Sequence, residues 1–183
     1  MPDICLITPE PRHEPNFLES LEAVLQSGIR LVQFRAKELS NTDYMDLARS
    51  SISLVHRYNG KILLNSPPLW LKEADGMHLS SQILSNTPYR PSLGPNKLVT
   101  AACHNQVELE KAAYIQADAL FISPVKKTAS HPTVEPLGWE AFQALAEQAK
   151  VPVYALGGLN LNDVGIAKER GGQGIAAISA IWR

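Results

Sequence analysis

The chain has 183 residues, 45% of them hydrophobic and 19% charged, with a net charge of −1. Those values are those of a soluble globular domain long enough to bury a large core. Lys and Arg are spread along the chain, which argues against a broad nucleic-acid or membrane-surface footprint. Cys5 and Cys103 show neither metal-ligand spacing nor a disulfide framework, so a reducing cytoplasm is expected. No basic start leads into an apolar h-region, so no signal peptide is expected, and no apolar run reaches transmembrane length.

Short apolar runs alternate with helical patterns. Ile4-Cys5-Leu6-Ile7 ends at the breaker-rich Thr8-Pro9-Glu10-Pro11. Asn16 stands where it would cap a helix carrying Phe17, Leu18, Leu21, Val24 and Leu25, and Gly28 stops that helix. The second run, Ile29 to Phe34, leads into Gln33-Phe34-Arg35-Ala36-Lys37, and Asn41 then reads as the cap of a helix reaching about Asn59. Ile62-Leu63-Leu64 ends at Asn65, and Pro67-Pro68 is expected to open a short helix through Leu71. Gly76-Met77-His78-Leu79 is followed by a proline-bearing loop over 84–96. After the fifth run, Leu98 to Ala102, Asn105 and Glu108 stand as a capping box. The sixth, Ala119 to Ile122, ends at Ser123-Pro124, before a polar loop over 126–136 and a helix from about 137 to 149. The seventh, Val151 to Leu156, ends at Gly157-Gly158; Asn160 or Asn162 would cap the next helix, which Gly171-Gly172 stops. The eighth is Gly174 to Ile178, and the residues after it are too few for a normal final helix.

Such runs separated by helical segments predict repeated βα units and a parallel sheet. Eight strands close a (β/α)₈ barrel, a compact TIM barrel with its last helix curtailed, and residues 1–183 read as that single domain. An open doubly wound sheet is the alternative, and the lack of Gly-x-Gly-x-x-Gly after the first strand weighs against it. In a barrel, chemistry sits at the carboxyl ends of the strands. Those ends are Thr8, Gln33/Arg35/Lys37, Asn65, His78, Ala102/His104, Ser123, Gly157-Gly158 and Ser179, mostly polar although each run before them is apolar.

Gln33, Arg35 and Lys37 alternate, so a strand would point them one way, an amide and two cations suited to phosphate or pyrophosphate. A solvated strand end with snorkelling side chains is the alternative. The amides of Gly157, Gly158, Ser179 and Ala180 would make a phosphate cradle, where a tight turn is the plainer reading. Lys126-Lys127 reads as small-site chemistry. Thr128 and Ser130 would hold a second phosphate and His131 would donate a hydrogen bond or a proton, against a plain surface loop. Asn65 orients a ring or a phosphate, or else caps the following helix; His78 is a ligand contact or a satisfied inner-rim histidine; His104 belongs to the turn into the next helix. No carboxylate stands at a strand end after Glu10, so no protein-bound Mg²⁺ site is expected.

These residues, in this order, resemble the thiamine phosphate synthase and TenI family over nearly the whole chain. Gln33-Phe34-Arg35-Ala36-Lys37 is similar to its Gln-x-Arg-x-Lys motif, and Leu64-Asn65 to its Asn-Asp strand end. Ala74-Asp75-Gly76-Met77-His78-Leu79 resembles its Ala-Asp-Gly-Val-His-Leu segment, and Ser123-Pro124-Val125 up to His131 its Gly-Pro-x-x-x-Thr-x-Thr-Lys loop. Ala155-Leu156-Gly157-Gly158-Leu159 and Ile178-Ser179-Ala180-Ile181 resemble its two last strand ends.

The resemblance implies a (β/α)₈ barrel of thiamine biosynthesis, a transferase joining hydroxymethylpyrimidine pyrophosphate to thiazole phosphate. It implies that Gln33, Arg35, Lys37 and Asn65 hold the pyrimidine and pyrophosphate, with His78 beside them. Thr128, Ser130, Gly157, Gly158, Ser179 and Ala180 would hold the thiazole phosphate, and Lys37 and His131 are the candidate catalytic groups. The family's acidic metal ligands fall at Ser66 and within Ser80-Ser81-Gln82-Ile83, so Mg²⁺ would arrive carried by the pyrophosphate. The family's Ser at the end of strand five is Ala102, and its loop Lys is His131. The TenI branch, a thiazole tautomerase, has a His where Pro124 stands, which leaves His131 or His78 as acid or base. The pattern from Ser123 through Pro136-Leu137-Gly138-Trp139 resembles barrels that follow a Nudix hydrolase. A Nudix domain or partner, with this chain as a non-catalytic thiamine-phosphate-binding domain, is therefore the third reading.

Overall fold

The apolar runs are too short for helices and each is followed by a turn signal, which favours buried parallel strands. The computed structural model, which describes residues 1–128 and 133–182, places them as β1 (Ile4–Ile7), β2 (Leu31–Phe34), β3 (Lys61–Asn65), β4 (Gly76–Leu79), β5 (Leu98–Cys103), β6 (Ala119–Ile122), β7 (Val153–Leu156) and β8 (Gly174–Ala177). All neighbours are parallel and in sequence order, and β8 returns to β1 through Ile4↔Ile175 and Leu6↔Ala177, closing the barrel. The (β/α)₈ expectation is met. The connecting helices are α1 (Phe17–Gln26), α2 (Asn41–Arg57), α3 (Ser81–Asn86), α4 (Gln106–Tyr114), α5 (Gly138–Ala146) and α6 (Val164–Glu169).

Several local expectations are corrected. Pro67-Pro68 opens no helix; only a turn, with Ala74 N donating to Leu71 O at 3.1 Å, precedes β4. The link is short because Asp75 must already reach the amino end of β3, where its carboxylate accepts from Ile62 N at 2.9 Å. Conversely, α3, capped by Ser80, runs to Asn86 and so takes the first residues of the loop expected over 84–96, although it buries only Leu84. Ser40, not Asn41, caps α2, accepting from Asp43 N. Asn16 stands at the N-cap of α1 without a side-chain hydrogen bond. Asn160 holds a capping box with Asp163 over a 3₁₀ turn, Leu161–Asp163, that leads into α6. After β8 the chain makes only a turn, Ile181 N and Trp182 N both donating to Ile178 O.

Side chains alternate between two cores. Phe34 and Tyr44 pack edge to face between barrel and helices, with Phe17 on the other side of Phe34. Inside the barrel stand Cys5, Ile7, Leu31, Leu63, Phe121, Tyr154 and Ala176. Gly76 is part of that closure: a Cβ there would lie 2.3 Å from Leu98 O, so any larger residue would push β4 from β5. Among the described residues, no helix is long and apolar enough to cross a membrane.

Candidate active site at the carboxyl end of the barrel

Because a strand repeats every two residues, the inward positions after Leu31, Leu63, Gly76 and Leu98 are Gln33, Asn65, His78 and Thr100. The inside of the barrel therefore changes from apolar to polar one step toward the carboxyl ends. Asn65 Nδ2 donates to Gln33 Oε1 at 2.8 Å, and His78 Nδ1 meets Thr100 Oγ1 at 2.9 Å. Asn65 and His78 are register partners, so the four residues form one arc across β2 to β5. Asn65 caps no helix. Thr100 was missed, although a hydroxyl interrupting Leu98-Val99 was a signal for it. Gln33 is 2% exposed and its Nε2 has no hydrogen-bond partner among the described residues.

His78 is buried against the Phe121 ring, with centroids 4.9 Å apart, and that desolvation lowers its pKa from 6.5 to about 3. The imidazole is neutral at ordinary pH. An unfolded imidazole gains a proton below about pH 6.5, which the folded one refuses until about 3. The unfolded state thus binds more protons in that window, and stability is lost as the pH falls through it, by up to about 1.4 kcal/mol per pH unit. Thermal unfolding between pH 7 and pH 4 should show this loss, and His78→Gln should reduce the slope. Equal slopes for the two proteins would contradict the assignment.

Only Gln33 of the three lies in β2; Arg35 and Lys37 lie beyond its end, so the strand alternation expected to align them does not reach them. β2 ends at Phe34 because Thr8 takes over the backbone of Arg35. Thr8 Oγ1 accepts from Arg35 N at 2.9 Å and donates to Arg35 O at 3.1 Å. Glu10 then holds the turn beyond: its carboxylate accepts from Lys37 N at 2.8 Å and Glu38 N at 3.2 Å and lies 3.9 Å from the Arg35 guanidinium. Glu10 is a site residue that the sequence reading passed over. Gln33 thus points into the barrel, Arg35 lies half-buried beside Glu10, and Lys37 is exposed at the rim. Lys37 and Asn65 border a cavity of about 280 Å³, together with Asn41, Tyr44, Ser66 and Ser80.

Gly157 and Gly158 have φ of 100° and 66°, in the left-handed region. A Cβ on Gly157 would lie 2.8 Å from Pro124 Cα, and one on Gly158 would lie 2.2 Å from Lys127 O. The pair is therefore glycine first because the loop after β6 lies directly on it. Lys126 N donates to Gly157 O at 3.0 Å. Among the described residues, no hydrogen bond engages the amides of Gly157, Gly158, Ser179 or Ala180. Lys126 is not free for a ligand: its ammonium binds the Asp163 carboxylate at 2.7 Å. Burial raises the Asp163 pKa, but the hydrogen bonds from Lys126 and Asn160 N and the Lys126 charge outweigh it and hold the group below the usual range. His104 also does more than turn the chain, its Nδ1 lying 2.6 Å from Ser123 O across the ends of β5 and β6. Thr128 lies at the end of the described part of this loop; Ser130 and His131 lie outside the described residues.

The Mg²⁺ implied by the resemblance finds a poor donor set. Hydroxyls, amides and an ammonium border the cavity, and the nearby Glu10 carboxylate is engaged by two backbone amides. No group of three or more His, Cys, Asp or Glu that could hold a metal ion occurs among the described residues. A hard divalent cation is usually anchored by one or two carboxylates; this cavity offers only the neutral Asn41 and Asn65 amide oxygens and hydroxyls, so its residues suit one poorly.

Comparison with known proteins agrees with the fold. A family model described as thiamine monophosphate synthase matches residues 4–181. A candidate thiamine-phosphate synthase of Aquifex aeolicus (strain VF5) is 34% identical over 98% of this chain and 97% of its own length. The thiamine-phosphate synthase of Synechocystis sp. (strain ATCC 27184 / PCC 6803 / Kazusa) is 32% identical over 92% of this chain, which spans only 50% of that protein. Among solved structures, thiamine phosphate pyrophosphorylase from Pyrococcus furiosus superposes with a TM-score of 0.78 at 24% identity, over 97% of this chain and 86% of that one, and supports the barrel fold. The chain belongs to the thiamine monophosphate synthase family.

Proposed function

We propose that residues 1–183 act as one barrel that condenses hydroxymethylpyrimidine pyrophosphate with thiazole phosphate. The observation that carries this reading is the buried Gln33 Nε2, without a partner among the described residues, beside an Asn65 whose own donor is fixed on Gln33 Oε1. A buried donor left unsatisfied costs about 1–3 kcal/mol, a cost that a ring nitrogen or oxygen entering the barrel mouth would remove. In this reading Gln33 and Asn65 orient the pyrimidine above the neutral His78, and Arg35 and Lys37 meet the pyrophosphate. The amides of Gly157, Gly158, Ser179 and Ala180, with Thr128 and Ser130, take the thiazole phosphate. The thiazole nitrogen then attacks the pyrimidine methylene; the new C–N bond forms as the C–O bond breaks, and pyrophosphate leaves with the electron pair. Lys37 opposes the charge that develops on the leaving oxygen, where a fixed cation helps most.

The tautomerase reading would rest on His78 or His131. His78 is a weak base with a pKa of about 3, which disfavours it, and His131 lies outside the described residues. A non-catalytic role beside a Nudix hydrolase is the remaining reading. A cytoplasmic setting suits the two free, buried thiols, and burial pushes the Cys103 thiol up to about 12. Incubation with both precursors and Mg²⁺ should yield thiamine phosphate and pyrophosphate in equal amounts. No product at high protein concentration would refute the condensation, and calorimetry with thiamine phosphate would then identify a binding-only role.

A further inference from the structure

The cavity beside Lys37 shows a donor set unlike that of a metal-bridged diphosphate site. Lys37, Asn65, Ser66 and Ser80 line it, with Asn41 and Tyr44 from the first turn of α2. The Ser66 hydroxyl makes long bonds, donating to His78 O at 3.3 Å and accepting from Ser80 N at 3.4 Å, so a phosphate oxygen would take its proton in place of His78 O. Ser80 Oγ accepts from Ile83 N at 3.4 Å, which leaves its own proton to donate. Tyr44 is 3% exposed, lines the cavity, and its hydroxyl has no hydrogen-bond partner among the described residues. The positive end of a helix of 17 residues adds to the same face. Asp43, from the same turn, is tied to Ser40 at 2.7 Å and does not line the cavity. Ser66 sits at φ 46°, a backbone state that suits Asn, Asp or Gly better, so the position would accept an acid yet holds a neutral hydroxyl. The Ser66 amide donates to His78 O at 2.9 Å, which fixes the residue across the ends of β3 and β4.

We propose that this cavity takes the terminal phosphate of a diphosphate directly, through Lys37, the Ser66 and Ser80 hydroxyls and the Tyr44 phenol, with no divalent cation held by the protein. The idea rests on the condensation reading for the identity of the natural diphosphate, but its chemistry is that of any small polyphosphate. Tyr44 becomes a further binding residue, and Ser66 the position that sets metal independence. Burial of the phenol is consistent with this, since it raises the pKa and keeps the group a neutral donor.

The test is calorimetric titration of the intact protein with inorganic pyrophosphate, in EDTA and in Mg²⁺. Wild type should bind in EDTA as tightly as in Mg²⁺. Tyr44→Phe should weaken binding in EDTA about tenfold, the usual worth of a hydrogen bond to a charged group. The same variant should raise the melting temperature of the free protein, because it removes an unsatisfied buried hydroxyl. A merely structural tyrosine would lose stability and keep its affinity. Ser66→Asp should weaken binding in EDTA and regain it on addition of Mg²⁺. Binding that appears only with Mg²⁺, or a Tyr44→Phe protein that binds like wild type, overturns the proposal. Condensation with Mg²⁺ but no pyrophosphate binding in EDTA would sink this inference and leave the condensation reading standing. Binding in EDTA without any condensation would do the reverse.

Discussion

Lys37→Ala should lower kcat/KM for the condensation about 10²–10³-fold, the usual effect of removing one donor aimed at developing charge. The melting temperature should not move. Lys37 is exposed, its ammonium forms no ion pair among the described residues, and only its backbone amide is used, by Glu10. Side-chain removal therefore costs the fold nothing that the structure shows. Arg35 gives a less clean experiment, because its guanidinium lies 3.9 Å from Glu10 and its loss also leaves that carboxylate without its cation. Lys37→Arg should recover only part of the rate, since a planar fork replaces a compact point charge. Steady-state kinetics with the pyrimidine substrate varied, beside a thermal melt, measures both effects. A Lys37→Ala protein with wild-type kcat/KM would remove Lys37 from the catalytic groups.

Gly158→Ala should be the most damaging small substitution near the site. The new Cβ would lie 2.2 Å from Lys127 O, a backbone atom that cannot rotate away, at a φ of 66°. The left-handed backbone alone costs a non-glycine residue about 1–2 kcal/mol. With the clash, a loss on the order of 3 kcal/mol or more is expected, which places it in the severe tail of single substitutions. For a chain of this size that is roughly a 10 °C fall in melting temperature. The loop after β6 would have to lift, carrying Thr128 with it, so affinity for thiazole phosphate should fall along with stability. Gly165→Ala is the control: a Cβ there meets nothing within 4 Å and the residue lies inside α6, so the change should be neutral or slightly stabilising. If Gly158→Ala melted like wild type, the packing assigned to the two loops would be wrong.

What could be read from the sequence was set by period. The apolar runs are buried on both faces and end at turn residues, so all eight strands and the barrel followed from spacing alone. Gln33, Asn65 and His78 were legible as the polar residues that close apolar runs, where a barrel places its chemistry. What failed depended on contacts distant in sequence. β2 stops at Phe34 because Thr8, 27 residues earlier, captures the Arg35 backbone, and no local pattern announces that. Glu10 lies in a breaker-rich segment with no local sign of its role, yet it organises the turn that presents Lys37. Lys126, expected to serve small-site chemistry, is instead paired with Asp163, 37 residues later. The pair at 157–158 was read for its amides, and the close approach of Pro124 and Lys127 that requires glycine there was invisible. Propensity also misjudged short elements: two prolines suggested a helix where the path was too short, and α3 formed on one cap and one buried leucine.

In the proposed reading the carboxyl end of this barrel holds two phosphate groups, one in the cavity beside Lys37 and one at the Gly157-Gly158 turn. A crystal structure with pyrophosphate and thiamine phosphate bound would test it most directly. Pyrophosphate is expected against Lys37, Ser66 and Tyr44, the thiamine phosphate group on the amides of Gly157, Gly158, Ser179 and Ala180, and the pyrimidine ring within hydrogen-bond distance of Gln33 Nε2. Ligands bound elsewhere, or a pyrimidine that leaves Gln33 Nε2 without a partner, would contradict it.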